Sequence, residues 1–152
     1  MSEALSAIRT ARRRSFFGRK PMYEQHALVS DTDLDGVEAH ALCRLPLELR
    51  EMLVTLGYGD LNDELSFRRE WWHVLEVGQL KGHVVFAQDD RGNLYTFAPD
   101  IGAAVHYIDR FDRSYALLAS SFEAFLRGLV ERNFEVVTWA ESLAQEPYAF
   151  SA

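Results

Sequence analysis

Residues 83–97 read HVVFAQDDRGNLYTF, and this stretch decides the fold. Apolar side chains dominate as far as Ala87, after which DDRGN supplies the acidic, glycine and asparagine residues typical of a tight turn. Gly92 is free to adopt the positive φ that such a turn requires. LYTF then forms a return strand, and AVHYID at residues 104–109 forms a third. The stretch predicts an antiparallel meander.

An amphipathic helix is predicted after this meander and a connecting loop. SSFEAFLRGL at residues 120–129 has capping-box spacing, with Ser120 as the expected N-cap and Glu123 reaching back to it. The helix has one apolar face that we expect to pack on the meander. That face consists of Phe122, Phe125, Leu126, Leu129 and Val130. Residues 134–137 are then predicted to be extended, and Thr138 is predicted to cap a short terminal helix.

A core helix is predicted over residues 45–57, LPLELREMLVTLG. Pro46 suits the first turn and Gly57 suits a left-handed C-terminal position. The apolar residues recur at helical spacing and define one buried face. They are Leu45, Leu49, Met52, Leu53 and Leu56.

The segment DTDLDG at residues 31–36 has the spacing of a calcium-binding loop. Leu42 occupies the position of the glutamate that closes such a loop. Carboxylates at a helix N-terminus also accept free backbone N–H groups and complement the helix dipole. The segment is therefore predicted to begin a helix, without a metal.

The composition predicts one self-sufficient domain. A chain of 152 residues, 48% of them apolar, buries roughly two thirds of its unfolded surface on folding. The single cysteine, Cys43, excludes an internal disulfide framework, and no run of about 18 apolar residues is present to span a bilayer. We therefore expect a cytoplasmic protein with no membrane partner.

Charge is distributed unevenly along the chain. Residues 1–20 carry six basic side chains against one acidic side chain, whereas residues 21–152 carry ten basic and 22 acidic ones. The acidic body opposes binding to nucleic acid and favours a basic partner, although acidic domains are also common for solubility alone. Residues 1–30 are predicted to form a basic helix or arm. Its apolar Leu5, Ile8 and either Phe16 or Phe17 are expected to dock on the domain.

The sequence contains no recognisable catalytic or metal-binding motif, so it predicts a protein that is not an enzyme and has no cofactor or metal. The five histidines never form an H-E-x-x-H helix, and His40 with Cys43 lacks two further zinc ligands at a recognisable spacing. No nucleophile elbow, P-loop or dinucleotide-binding glycine motif is present. Asp89 and Asp90 are adjacent, so they point to opposite faces of a strand, and they are interpreted as turn residues.

The order of these elements resembles the SUKH superfamily (Smi/Knr-like), which includes yeast cell-wall-synthesis regulators and many bacterial immunity proteins. The resemblance covers roughly residues 34–132, and its most specific parts are residues 86–97 and 121–129. It implies an α+β domain over residues 31–152. The expected architecture is a central antiparallel sheet of about four to six strands flanked by α-helices.

The resemblance further implies a binding protein without catalytic activity. The main hypothesis is an immunity protein, a monomer or weak homodimer, that neutralises a cognate toxin domain of basic character. The alternatives are a regulatory scaffold or adaptor, and an enzyme whose site would be a buried His–carboxylate pair in a pocket. The predicted contact residues are acidic or aromatic, and each is equally explicable as a loop or core-edge residue. They are Asp60, Asp63 and Glu64 in an expected acidic loop, Trp71, Trp72, Asp89, Asp90, Asp109 and Asp112.

Overall fold

A computed structural model describes residues 2–151 as an α+β fold. Its helices are α1 (Glu3–Thr10), α2 (Asp31–Ala41), α3 (Leu47–Leu56), α4 (Phe122–Glu131) and α5 (Val136–Glu141). Its strands are β1 (Arg12–Ser15), β2 (Gly18–Pro21), β3 (Tyr23–Ala27), β4 (Tyr58–Leu61), β5 (Leu65–Phe67), β6 (His73–Val74), β7 (Val84–Asp89), β8 (Leu94–Phe97), β9 (Val105–Asp109), β10 (Ser114–Ala119) and β11 (Glu146–Pro147). A short 3₁₀-helix spans Arg69–Trp71.

Nine of these strands form one antiparallel sheet in the order β11-β10-β9-β8-β7-β5-β4-β3, with β6 pairing beside β5 along β7. The predicted meander is confirmed as β7, β8 and β9. The expected count of four to six strands is too low. The residues before α4, predicted as a loop, instead form β10, which pairs with β9 through a β-bulge. β10 reads SYALLA, whose apolar residues are nearly continuous and show no clear period of two, so backbone pairing with β9 decides its conformation.

The main core lies between one face of this sheet and the five helices, and α2 contributes the fully buried Leu34. Phe86 of β7 is its centre, because its ring packs edge-on against Phe122 at 5.2 Å and against Phe125 at 5.7 Å between centroids. The predicted apolar faces of α3 and α4 both face this core. The expected packing of α4 on the meander is therefore confirmed.

Several predicted helix boundaries shift. The N-cap of α4 is Ser121, whose side chain accepts from the Ala124 N–H, so the prediction of Ser120 is wrong. The extended conformation predicted for residues 134–137 is also wrong, since Val136 and Val137 begin α5 and Glu135 precedes it as N-cap. Positive φ angles at residues 133 and 134 turn the chain into α5, whose apolar side chains are buried at helical spacing.

The calcium-like segment forms the first turns of α2. Ser30 and Asp33 make a reciprocal capping box, and Asp31 and Asp35 both accept hydrogen bonds from Arg50 of α3. The cap holds the pKa of Asp33 below its usual value. Helix capping and one ion-pair network therefore account for these carboxylates.

The N-terminus begins as predicted and then departs from the prediction. Leu5 and Ile8 of α1 are each only 1% exposed and belong to the core. Phe16 and Phe17 do not dock on the domain. They form the two-residue tip of the hairpin β1–β2 and are 95% and 96% exposed. We call β1 and β2 with this tip the basic hairpin.

A smaller apolar cluster covers the opposite face of the sheet. Val85, Leu94 and Ile108 pack there against Leu75 and the C-terminal Tyr148. The Tyr148 hydroxyl donates to the Val77 carbonyl at 2.7 Å, which ties the chain end to the segment before β7. Beside this cluster the rings of His83 and His106 meet edge to face with centroids 5.5 Å apart.

Gly128 tests how tightly α4 packs on α5. A Cβ at this position would lie 2.3 Å from the Trp139 ring, so we expect Gly128→Ala to lower the free energy of unfolding by about 1–3 kcal/mol. Gly36→Ala in α2 is the matched control, because its Cβ would meet no atom within 4 Å. It should raise stability by about 0.5–1 kcal/mol. Urea unfolding measures both changes, and equal effects at the two positions would contradict the packing described here.

The paired histidines predict a pH dependence of stability. Burial lowers the pKa of His83, and burial together with the neighbouring His83 lowers that of His106. Because the unfolded chain then binds protons more readily, stability is complete above about pH 6.5 and falls as the pH drops below that value. His83→Gln/His106→Gln should flatten this fall in urea titrations. Replacing the exposed His40 by Gln should leave the fall as in the wild type.

Candidate partner-binding surface

Three turns meet at one end of the sheet, and we call this region the turn end. They are residues 62–64 between β4 and β5, residues 89–93 between β7 and β8, and residues 109–113 between β9 and β10. Strand register brings the first two together by pairing Leu65 with Asp89. The Arg110 N–H donates to the Asn93 side-chain oxygen at 3.0 Å, which links the third turn to the second. The fold thus assembles six of the predicted contact residues.

Asp89 forms the interior of the turn end. Its carboxylate accepts from the backbone N–H groups of Arg91 and Asn93 and from the Tyr95 hydroxyl, at 2.9–3.0 Å. The residue is 6% exposed, and burial raises the pKa of its carboxyl although these donors partly offset the effect. The predicted turn role is confirmed. Asp89 does not present its charge at the surface.

A second buried contact extends this network to β9. The Asn93 amide donates to the Tyr107 hydroxyl at 2.8 Å, and the rings of Tyr95 and Tyr107 pack with centroids 5.4 Å apart. Burial, with the nearby carboxylates of Asp109 and Asp89, raises the pKa of Tyr107 to about 12. These hydrogen bonds fix the spacing of the two exposed turns.

Asp63, Asp90 and Asp112 are the exposed carboxylates of the turn end, and Asp90 and Asp112 differ from Asp63 in having no ion pair within the described residues. Each of these two lies at the outside of its turn, and neither side chain forms a hydrogen bond or ion pair with any of residues 2–151. Asp109 is half-buried and accepts from the backbone N–H groups of Phe111 and Asp112, so it shapes the turn between β9 and β10. Asp90 and Asp112 are therefore the unpaired, exposed acidic groups of the turn end.

The expected acidic loop at residues 58–64 is instead β4, a two-residue turn with positive φ, and the approach to β5. Asp63 in that turn binds Arg13 and Lys20 of the basic hairpin, and the Arg13 hydrogen bond holds the pKa of Asp63 low. Glu64 accepts from Asn62 and from the Val137 N–H. Burial raises the pKa of Glu64, and the charge of Asp90 adds to the increase.

Asp60 is separate from the turn end. It lies within β4, where its oxygens contact Ser66 and Arg68 at 2.6 Å and His26 at 2.8 Å. Burial alone would raise the pKa of Asp60, but these hydrogen bonds together hold it below its usual value. This His–carboxylate pair lies at the surface, with the His26 side chain 48% exposed, and it lines neither of the two clefts beside Trp72.

Trp71 and Trp72 lie on a ridge between two clefts. The first cleft, of about 700 Å³, separates the ridge from α2 and is lined by Asp33, Val37, His40 and Trp72 among others. The second, of about 630 Å³, contains Trp71 and Trp72 and extends to Arg110 at the turn end. Both tryptophans are half-buried. Trp72 donates to the Tyr58 hydroxyl at 2.9 Å and packs on the core, whereas Trp71 packs against Arg68.

The turn end is acidic overall. Its three turns carry six carboxylates against the three arginines Arg91, Arg110 and Arg113. Arg91 forms an ion pair with Glu141 at the end of α5, which neutralises part of its charge. The three turns thus carry more carboxylates than arginines, and an excess of acidic groups suits a basic partner.

Residues 2–151 contain neither a cluster of metal-binding side chains nor a helix suited to span a membrane. No group of three or more histidine, cysteine, aspartate or glutamate side chains is placed to hold a metal ion in this part of the chain. In the same residues, no helix has both the length and the apolar character needed to cross a bilayer.

The family model described as the SMI1 / KNR4 family (SUKH-1) matches residues 28–128, well over half of the chain. The chain belongs to this family. The predicted SUKH resemblance and α+β fold are thereby confirmed, and other proteins are the general kind of partner that membership implies. Searches of curated proteins and of solved structures returned no match.

The match begins after β3, so α1, the basic hairpin and β3 lie outside the SUKH region. The end of α4 and everything after it also lie outside. Sequence reasoning missed the hairpin, the two clefts and the aromatic C-terminal segment that lines the second cleft. Tyr148 and Phe150 carried a usable signal, since two aromatic residues after Pro147 indicate a docked chain end. The clefts had no sequence signal, because their walls come from distant elements.

Adjacent aspartates allow structure and recognition to be separated. Asp89→Ala leaves the Tyr95 hydroxyl and two backbone N–H groups without their acceptor, so it should lower the free energy of unfolding by about 2 kcal/mol or more. Asp89→Asn keeps one acceptor oxygen, so it should lower the free energy of unfolding by less than Asp89→Ala does. The exposed Asp90→Ala is the matched control and should change stability by less than about 0.5 kcal/mol. Urea unfolding of the three variants measures these losses of stability. An Asp89→Ala variant as stable as the wild type would contradict the prediction.

Proposed function

We propose that this SUKH protein is an immunity protein that binds a cognate toxin domain and neutralises it without performing chemistry. Family membership supports an immunity role in general. The acidic turn end is the observation that extends this role to a particular partner. Its exposed carboxylates match a toxin domain with a basic surface, such as one that acts on an anionic substrate.

The construction of the turn end also suits an inhibitor. Asp89, Asn93, Tyr95 and Tyr107 hold the exposed turns in fixed positions through buried hydrogen bonds. Such preorganised contacts lose little conformational freedom on binding, which favours affinity. The second cleft, with Trp71 and Trp72, is continuous with this surface through Arg110. Half-buried tryptophans beside charged residues are the residue types that dominate binding energy at many interfaces.

The function is tested by co-expression. Cells that express a toxin domain encoded beside this protein should survive when the protein is co-expressed and die without it. The purified pair should form a stoichiometric complex. Failure to protect against any neighbouring toxin candidate would overturn the immunity role, and capture of non-toxin regulatory partners instead would favour an adaptor.

Charge variants test the proposed contact surface. Asp90→Ser/Asp112→Ser should slow toxin association several-fold at low salt and flatten its salt dependence, with little change in dissociation. Glu3→Ser/Glu123→Ser is the matched control, because it changes the net charge equally at residues outside the three turns. Stopped-flow or surface-based kinetics measures both pairs. The same association rate in all three proteins would remove the turn end from the interface.

A further inference from the structure

The basic hairpin carries an exposed aromatic tip that the fold does not use. Phe16 and Phe17 are 95% and 96% exposed, and their rings pack only against each other, edge-on with centroids 5.0 Å apart. The turn does not require them, because two-residue hairpin loops favour Gly, Asn or Asp and the positive φ of 120° falls on Gly18. Neither core packing nor turn chemistry therefore explains two phenylalanines at this tip.

The two faces of the hairpin differ in how their charges are satisfied. Arg13 and Lys20 lie opposite each other and pair with Asp63 and Glu24 of the body. Strand alternation places Arg14 and Arg19 on the other face, again directly opposite each other. Both are exposed, and neither forms an ion pair within residues 2–151. A like-charged cross-strand pair destabilises an isolated hairpin, and an anionic partner would relieve this repulsion.

We propose that the basic hairpin is a peripheral membrane-contact site that inserts its Phe16-Phe17 tip at the surface of an anionic lipid bilayer. Aromatic side chains are favoured at the level of the lipid headgroups, and flanking arginines bind anionic headgroups. This site is independent of the proposed toxin contact, which lies on an acidic surface and takes a partner of opposite charge. It also lies outside the SUKH region of the chain.

Size favours a bilayer over a protein as the occupant. Two exposed phenylalanines offer about 300–500 Å² of aromatic surface, whereas a stable protein interface buries about 800 Å² on each partner. A membrane contact needs only a shallow apolar insertion together with a few basic residues. Nucleic acid is a weaker fit, because the edge-on packing of the rings on each other leaves a wedge instead of two parallel faces for bases to stack on.

The test is vesicle flotation of the full chain. The protein should float with phosphatidylcholine vesicles that contain phosphatidylglycerol, should not float with phosphatidylcholine alone, and should be released by high salt. Arg14→Ser/Arg19→Ser should lower the partition coefficient roughly thirtyfold, since each basic residue near the surface contributes about 1 kcal/mol. Phe16→Ser/Phe17→Ser should lower it at least about tenfold.

Ile101→Ser/Phe111→Ser is the matched control, because it removes two other exposed apolar side chains from residues distant in the chain and should leave flotation unchanged. Circular dichroism and toxin protection should be unchanged in both hairpin variants, which keeps this test separate from the immunity role. Absence of flotation, equal flotation with neutral vesicles, or equal loss in the control would overturn the proposal. The proposal would also be overturned if RNA bound through the hairpin and displaced the vesicles. Self-association through the hairpin, seen in sedimentation and able to displace the vesicles, would overturn it as well.

Discussion

The buried carboxylate of Asp89 is the constraint on which the centre of this structure depends. A carboxyl group removed from water requires hydrogen-bond donors, and here they come from its own turn and from Tyr95 on the return strand. Asn93 carries the network onward to Tyr107 and to the backbone of Arg110. These hydrogen bonds hold the turn between β7 and β8 in place and fix the turn between β9 and β10 beside it.

In this network, residues adjacent in the sequence have different roles, one structural and the other exposed at the surface. Asp89 is committed to the interior, whereas the next residue, Asp90, projects into solvent with no partner among residues 2–151. A similar division occurs in the basic hairpin, where Arg13 is paired with the body and Arg14 is not. Neighbouring residues of identical type therefore differ in environment because successive side chains of a strand or turn point in opposite directions.

The molecule consequently presents two charged surfaces of opposite sign. The turn end is acidic and held rigidly by buried hydrogen bonds, while the outer face of the hairpin is basic and ends in an aromatic tip. Asp63 connects them, since it belongs to a turn of the first surface and anchors the second through Arg13 and Lys20. Surfaces of opposite sign suit partners of opposite charge.

The sequence by itself determined the meander, the core faces of α3 and α4 and the structural role of Asp89, because local periodicity and turn chemistry encode each of them. The order of these elements along the chain carried the SUKH resemblance. Only the tertiary structure decided that β10 is a strand, that residues 136–141 are helical and that Phe16 and Phe17 are exposed. Their short patterns fit more than one conformation, and pairing or packing with distant residues selects one. Strand register also brings the three turns together into one acidic surface. Register is a relation between strands, so the sequence of one segment does not reveal it.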